Sequence, residues 1–151
     1  MTPEHYFAYG SNMDPARVVD RGIQFTRISA AVLVGYDLLF NKRSREQKGA
    51  GHANIVVEPG GQVEGVLYEL EGPNEIEKMD VFEYVPTNYN REVVIVTTQT
   101  DQLLAWAYVA NPAVVLSGLT PPCWYMTHLL GGRTYLSDRY IEMLESVKCI
   151  P

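Results

Sequence analysis

The chain has 151 residues, of which 46% are hydrophobic and 20% charged, and its formal net charge is −6. That length predicts one domain over 1–151 with a sizeable core. The acidic balance disfavours nucleic acid and anionic membrane surfaces as partners, and no apolar run approaches the ~18 residues of a spanning helix.

The first element is a short apolar, aromatic run, Tyr6-Phe7-Ala8-Tyr9, which reads as a buried strand. It ends abruptly in Gly10-Ser11-Asn12. Asp14 suits a helix N-cap and Pro15 the first helical position, so a short helix is expected to Arg21. Strand, glycine turn and helix start together present several backbone N–H groups. They read either as a nest for a carboxylate, phosphate or oxyanion, or as an ordinary strand-to-helix turn. Phe25 to Phe40, rich in Val, Leu, Ile and Tyr, predicts one or two strands, with Gly35 as a bulge. Asn41 to Gly51 is a polar loop. Its Lys42, Arg43, Arg45 and Lys48 read as a solvated run or as a rim that attracts an anionic substrate.

His52 to Glu58 and Gln62 to Leu70 read as a hairpin turned by Pro59-Gly60-Gly61. Gly72-Pro73 opens a helix to about Phe82, and Tyr84 to Asn88 is a loop containing Pro86. Tyr89 to Thr98 and Leu103 to Ala110 form a second hairpin around Thr100-Asp101. Pro121-Pro122 begins a helix that Gly131-Gly132 stops, and Ser137 caps a last helix with Tyr140, Ile141, Leu144 and Val147 on one stripe. Strands outnumber helices without alternating strictly with them. The expected fold is therefore α+β with a curved or barrel-like sheet.

Glu83 is the leading candidate for chemistry. Ile76, Met79 and Glu83 stand at i, i+3 and i+7, so they share the core-facing side of the helix. A carboxylate pointed into apolar surroundings at a helix C-terminus has its charged form disfavoured, which suits a general base or acid near neutral pH. The alternative is a Glu83 turned to solvent or paired with Arg91. His5, His52 and His128 are too scattered to suggest a metal site. No GxSxG elbow, P-loop or dinucleotide fingerprint is present. Trp124, Tyr125 and Leu129 are expected in the core. Cys123 and Cys149 form no CxxC pair and are expected as reduced thiols of a cytoplasmic protein. No charged segment precedes an apolar core at the start, so no signal peptide is expected.

Five segments, in order, resemble the gamma-glutamylcyclotransferase superfamily. Tyr9-Gly10-Ser11-Asn12 is similar to its signature turn. Gly51-His52-Ala53-Asn54-Ile55-Val56 with Val63-Glu64-Gly65-Val66-Leu67-Tyr68 is similar to its central hairpin. Met79-Asp80-Val81-Phe82-Glu83 resembles the motif that carries the catalytic glutamate, and Tyr89-x-Arg91 the opening of the next strand. Gly118-Leu119-x-Pro121 with Tyr125-x-x-His128-Leu129-Leu130-x-Gly132 resembles the C-terminal part of short bacterial members. The family usually has Gly after the glutamate. Tyr84 stands there instead, and adopts a left-handed turn reluctantly.

The resemblance implies a small mixed β-barrel with flanking helices. It implies a metal-independent, cofactor-free enzyme that cyclises a small-molecule gamma-glutamyl substrate to 5-oxoproline and a free amine or amino acid. Glu83 would be catalytic. Gly10, Ser11 and Asn12 would hold the glutamyl carboxylate or the oxyanion. Tyr89 and Tyr108 would line the pocket with Tyr9 as a wall, and Arg91 would orient Glu83 or brace its strand. The alternatives are a non-catalytic small-ligand module on the same fold, and an enzyme that removes gamma-glutamyl protection in a biosynthetic pathway.

Overall fold

A computed structural model describes residues 2–151 of the chain. Five strands close a barrel: β1 (His5–Ala8), β2 (Phe25–Arg43), β3 (Gly51–Leu70), β4 (Tyr89–Thr97) and β5 (Gln102–Ala110), in the order β1-β3-β2-β4-β5. β1 lies antiparallel to β3, with His5 opposite Glu69 and Ala8 opposite Val66. It meets β5 in parallel at Tyr6 and Trp106, which closes the ring and removes the open edges. Four helices flank the barrel: α1 (Pro15–Asp20), α2 (Glu75–Phe82), α3 (Cys123–Leu130) and α4 (Asp138–Ser146). Phe7, Leu33, Ile55, Val63, Tyr68 and Val96 are among the fully buried residues of its core. The α+β barrel expected from the sequence is the observed fold.

The cap signals act as anticipated. The Ala16 amide donates to the Asp14 carboxylate at 3.1 Å, and the Tyr140 amide donates to Ser137 Oγ at 3.2 Å. Gly35 breaks the β2 register as expected. The predicted hairpin at Pro59-Gly60-Gly61 does not form. Residues 51–70 are one strand, and both its halves pair with β2. Between the pairs Val34–Gln62 and Tyr36–Val57, β3 advances five residues while β2 advances two, so this segment bulges outward, with Gly60 at φ +85°. β2 itself runs past the predicted end at Phe40 to Arg43, and the true reversal is the loop 44–50. A 19-residue β2 offers both halves of β3 a partner, and that long-range pairing overrides the local turn chemistry.

The cysteines also depart from expectation: Cys123 and Cys149 are joined in a disulfide, with Cα atoms 4.9 Å apart. The Cys123 amide donates to Ile150 O at 2.8 Å and the Ile150 amide to Pro121 O at 2.9 Å, which lays the C-terminal segment against the start of α3. No helix among the described residues is long and apolar enough to cross a membrane.

Candidate active site

One end of the barrel opens into a cavity of about 520 Å³, within the usual range for small-molecule sites. Its walls come from the turn after β1, from α1, from the end of β2 and its loop, from the end of α2, and from the start of α3. Glu83 sits there. It caps the C-terminus of α2, and Ile76 and Met79 below it on the same face are 1% and 0% exposed. The helical spacing therefore delivers the carboxylate inward, with a side-chain exposure of 16%.

Two groups hold it. Asn12 Nδ2 donates to Glu83 Oε1 at 3.0 Å, and Arg21 Nη1 stands 3.8 Å from the same oxygen. The orientation of the Asn12 amide follows from its partners. Arg21 Nη1 can only donate, and it donates to Asn12 Oδ1 at 3.1 Å, so the NH₂ end faces Glu83 and Tyr6 Oη. Tyr68 Oη donates to the Asn12 backbone carbonyl at 2.6 Å and fixes the turn itself. Burial pushes the Glu83 carboxyl above the ordinary carboxylate range, while Arg21, Arg17, Lys42 and the Asn12 hydrogen bond pull it back.

The expected turn at Gly10-Ser11-Asn12 is present and lines the cavity, with Ser11–Met13 wound as a short 3-10 turn. Tyr125 backs it. Its hydroxyl accepts from the Ala53 amide at 2.9 Å. A Cβ at Gly10 would lie 2.9 Å from that hydroxyl, so only glycine lets the turn pack so close. Tyr9, Tyr89 and Tyr108 are cavity walls whose hydroxyls are committed. Tyr9 donates to the Tyr108 carbonyl, Tyr89 to Ala53 O at 2.8 Å, and Tyr108 to Asp80 Oδ1 at 2.7 Å. Arg91 does not pair with Glu83. Its Nε lies 3.3 Å from Asp80 Oδ1 and its guanidinium stacks on Trp106, so it braces the strand and Asp80 behind Tyr108.

Tyr84, directly after Glu83, has φ +52°, the one positive value at a non-glycine residue among those described. A left-handed tyrosine costs roughly 1–2 kcal/mol, and such strain is characteristically retained at functional sites. Lys42 and Arg45, read from the sequence as a solvated run or a rim for an anionic substrate, line the cavity, and so do Arg17, Arg21, His52 and Tyr125, which were not selected from the sequence as site residues. Three of the four buried side-chain atoms without a partner among the described residues belong to its lining: Arg17 Nε, His52 Nε2 and Asn88 Oδ1. Buried polar atoms in native proteins are nearly always paired with protein, water or ligand, and three left open around one cavity give it a polar lining. No cluster of three or more metal-ligating side chains occurs among the described residues.

A closed barrel carrying one inward carboxylate beside a glycine turn is the gamma-glutamylcyclotransferase-like architecture. A solved structure of a gamma-glutamyl cyclotransferase is 25% identical, with a TM-score of 0.82 over 97% of this chain and 88% of the other. The crystal structure of YkqA from Bacillus subtilis is 26% identical, with a TM-score of 0.83 over 99% of this chain and 57% of that one. In sequence, YkqA of Bacillus subtilis (strain 168), a gamma-glutamylcyclotransferase by name, is 38% identical over 71 residues. That stretch is 45% of this chain and 24% of YkqA, so the match spans about a quarter of the relative. The family described as "Gamma-glutamyl cyclotransferase, AIG2-like" matches residues 6–125, and the chain belongs to it.

Proposed function

We propose that this protein cyclises gamma-glutamyl compounds. The substrate's own α-amine attacks its γ-carbonyl, the new C–N bond closes a five-membered lactam, and the old C–N bond breaks to release an amine or amino acid with 5-oxoproline. The observation that carries this reading is Glu83: a single buried carboxylate, held by Asn12 and Arg21 in a polar cavity, with its pKa raised by burial. It accepts a proton from the α-ammonium and returns one to the departing nitrogen. The nucleophile belongs to the substrate, so the scheme calls on no protein nucleophile, metal or cofactor. What the protein must supply is a folded substrate pose, the orientation that makes an intramolecular attack fast. The amides of the Gly10–Asn12 turn are assigned to the glutamyl carboxylate or the oxyanion, and Tyr9, Tyr89 and Tyr108 to the walls that shape the pose. The cytoplasmic placement expected from free thiols loses that support, because both cysteines are in the disulfide.

The test is release of 5-oxoproline from gamma-glutamyl amino acids, peptides and amines with a metal chelator present, comparing wild type with Glu83→Gln. Losing a general base lowers turnover by about 10²–10⁴-fold, and circular dichroism should show the variant folded. Equal turnover by the variant would place the base elsewhere. No product from any compound with wild type would favour a ligand-binding module on this fold.

A further inference from the structure

The cavity is electropositive in a chain whose net charge is −6. Among its lining residues Arg17, Arg21, Lys42 and Arg45 stand against two carboxylates, Glu83 and Glu46. The four cations fall into two pairs. Arg17 and Arg21 lie four residues apart along α1 and its C-terminal end, and each disfavours charge on the other. Lys42 and Arg45 lie at the end of β2 and on the following loop, and they repel in the same way. Glu83 is within electrostatic reach of Arg21, Arg17 and Lys42, and therefore of both pairs.

The second pair makes no ion pair among the described residues. Lys42 is only 4% exposed, yet among the described residues its side chain has no ion pair or hydrogen bond; its ammonium sits 5.8 Å from the centre of the Tyr89 ring. A buried, unpaired lysine is costly and rare unless a partner arrives from outside. Arg45 also lacks an ion pair among the described residues. Its guanidinium lies 5.8 Å from the ring centre of Tyr84, the left-handed residue next to Glu83. The strained tyrosine thus stands beside the loop cation at the cavity, one residue from the proposed base.

We propose that Lys42 and Arg45 form a carboxylate reader for the leaving group, so that the preferred substrate is a gamma-glutamyl amino acid or peptide rather than a gamma-glutamyl amine. The assignment rests on the cyclisation reading and extends it. The α1 pair and the Gly10–Asn12 turn take the glutamyl carboxylate, and the β2 pair takes a second carboxylate carried by the departing amine. A simple amine leaving group has no anion to offer the second pair and leaves Lys42 without a counter-ion. Lys42 and Arg45 are positioned to select substrate; the proton transfers belong to Glu83.

The matched probes are gamma-glutamylalanine and gamma-glutamylethylamine, which differ by one carboxylate. With wild type, kcat/KM should favour the alanine compound by about tenfold or more, the 1.4 kcal/mol expected of one charged contact. Arg45→Ala and Lys42→Met should each move that ratio toward one, mainly through KM for the alanine compound, and Lys42→Arg should restore part of it. Arg45 is on a surface loop, so its variant keeps the proposal testable if Lys42→Met fails to fold. A wild-type ratio near one, or a ratio that neither variant changes, overturns the reader. Calorimetric binding of both compounds to Glu83→Gln separates this from failure of the cyclisation reading. If wild type releases no 5-oxoproline but the alanine compound binds about tenfold tighter and loses that advantage when Arg45→Ala is added, the reader stands and the chemistry falls. Equal binding overturns the reader.

Discussion

Replacing Asn12 by Asp keeps the shape of the side chain and reverses the character of one of its ends. Oδ1 still accepts from Arg21, but the second oxygen now faces Tyr6 Oη and Glu83 Oε1, where the amide had donated at 2.9 and 3.0 Å. A hydrogen bond to a charged group is worth about 1.5–3 kcal/mol and a neutral one about 0.5–1.5. The Tyr6 hydroxyl can turn to donate to the new oxygen, so the bond lost is the charged one to Glu83, and its loss destabilises the fold by about 3 kcal/mol at pH 7. For a chain of this size that is a fall in Tm of about 10 °C. The two carboxyl groups can share a proton, so Glu83 is pushed further above the ordinary carboxylate range than burial already places it. The pH dependence follows from that direction. A carboxyl whose folded pKa is raised contributes stability that is full below its unfolded value and is lost as pH rises through the folded value. The Tm gap between Asn12→Asp and wild type should therefore be widest at neutral pH and narrow on acidification toward pH 4. The acid limb of kcat/KM for 5-oxoproline release should move to higher pH. Thermal melts from pH 4 to 8 and one pH–rate profile read both effects. An unchanged Tm at pH 7 together with an unmoved limb would refute the idea that Asn12 holds the base.

Arg91→Ala should cost about 1 kcal/mol in chemical denaturation, the worth of a partly exposed ion pair, while turnover stays within about threefold; a hundredfold loss, over 2 kcal/mol of barrier, would put Arg91 in the reaction. His52 is held neutral, its pKa pushed down to about 4 by burial first and then by Lys42 and Arg17. A lowered folded value means stability that is full above pH 6.5 and lost as pH falls toward 4, at most about 3 kcal/mol. His52→Gln should lose less stability than wild type over that interval, and parallel melting curves would contradict the assignment. The disulfide closes a span of 26 residues, which in the chain-entropy account stabilises by about 3.5 kcal/mol. Cys123→Ser with Cys149→Ser should lower Tm accordingly, and titration of two free thiols in the unfolded but unreduced wild type would show that the bond is absent.

The parts of the site that were legible in the sequence are those governed by short-range geometry. The spacing of Ile76, Met79 and Glu83 turns the carboxylate inward because the period of a helix leaves no choice, and it does so here with the two apolar residues fully buried. Asp14 and Ser137 cap their helices as their side chains dictate. Tyr84 is forced into the left-handed region that a glycine would occupy freely. Pro59-Gly60-Gly61 shows where local chemistry misleads. The same residues serve a reversal or a bulge, and what decides is the length of β2, a strand that pairs with both sides of them. The cysteine pairing and the partners of Glu83 from the β1 turn and α1, Asn12 and Arg21, were hidden for a related reason. Cys123 meets Cys149 because the chain end folds back on α3, and Asn12 meets Glu83 across 71 positions because β1 and α2 open at the same end of the barrel.

That the sequence displays one chemical group and little else is itself consistent with an intramolecular reaction. A nucleophile carried by the substrate removes the need for a serine, cysteine or metal whose spacing would announce the chemistry. What remains is a base whose proton affinity must be set by its surroundings. Here the setting is a contest: burial raises the Glu83 pKa, and Arg21, Arg17 and Lys42 lower it. Those same cations are the groups assigned to substrate carboxylates. When a bound carboxylate neutralises them, their hold on Glu83 weakens, and burial is left to act more fully. In the proposed reaction Glu83 would then bind a proton more tightly in the complex than in the free protein, at the stage when it is to take one from the α-ammonium. Cation pairs that look like mere binding groups thereby couple occupancy of the cavity to the strength of its base.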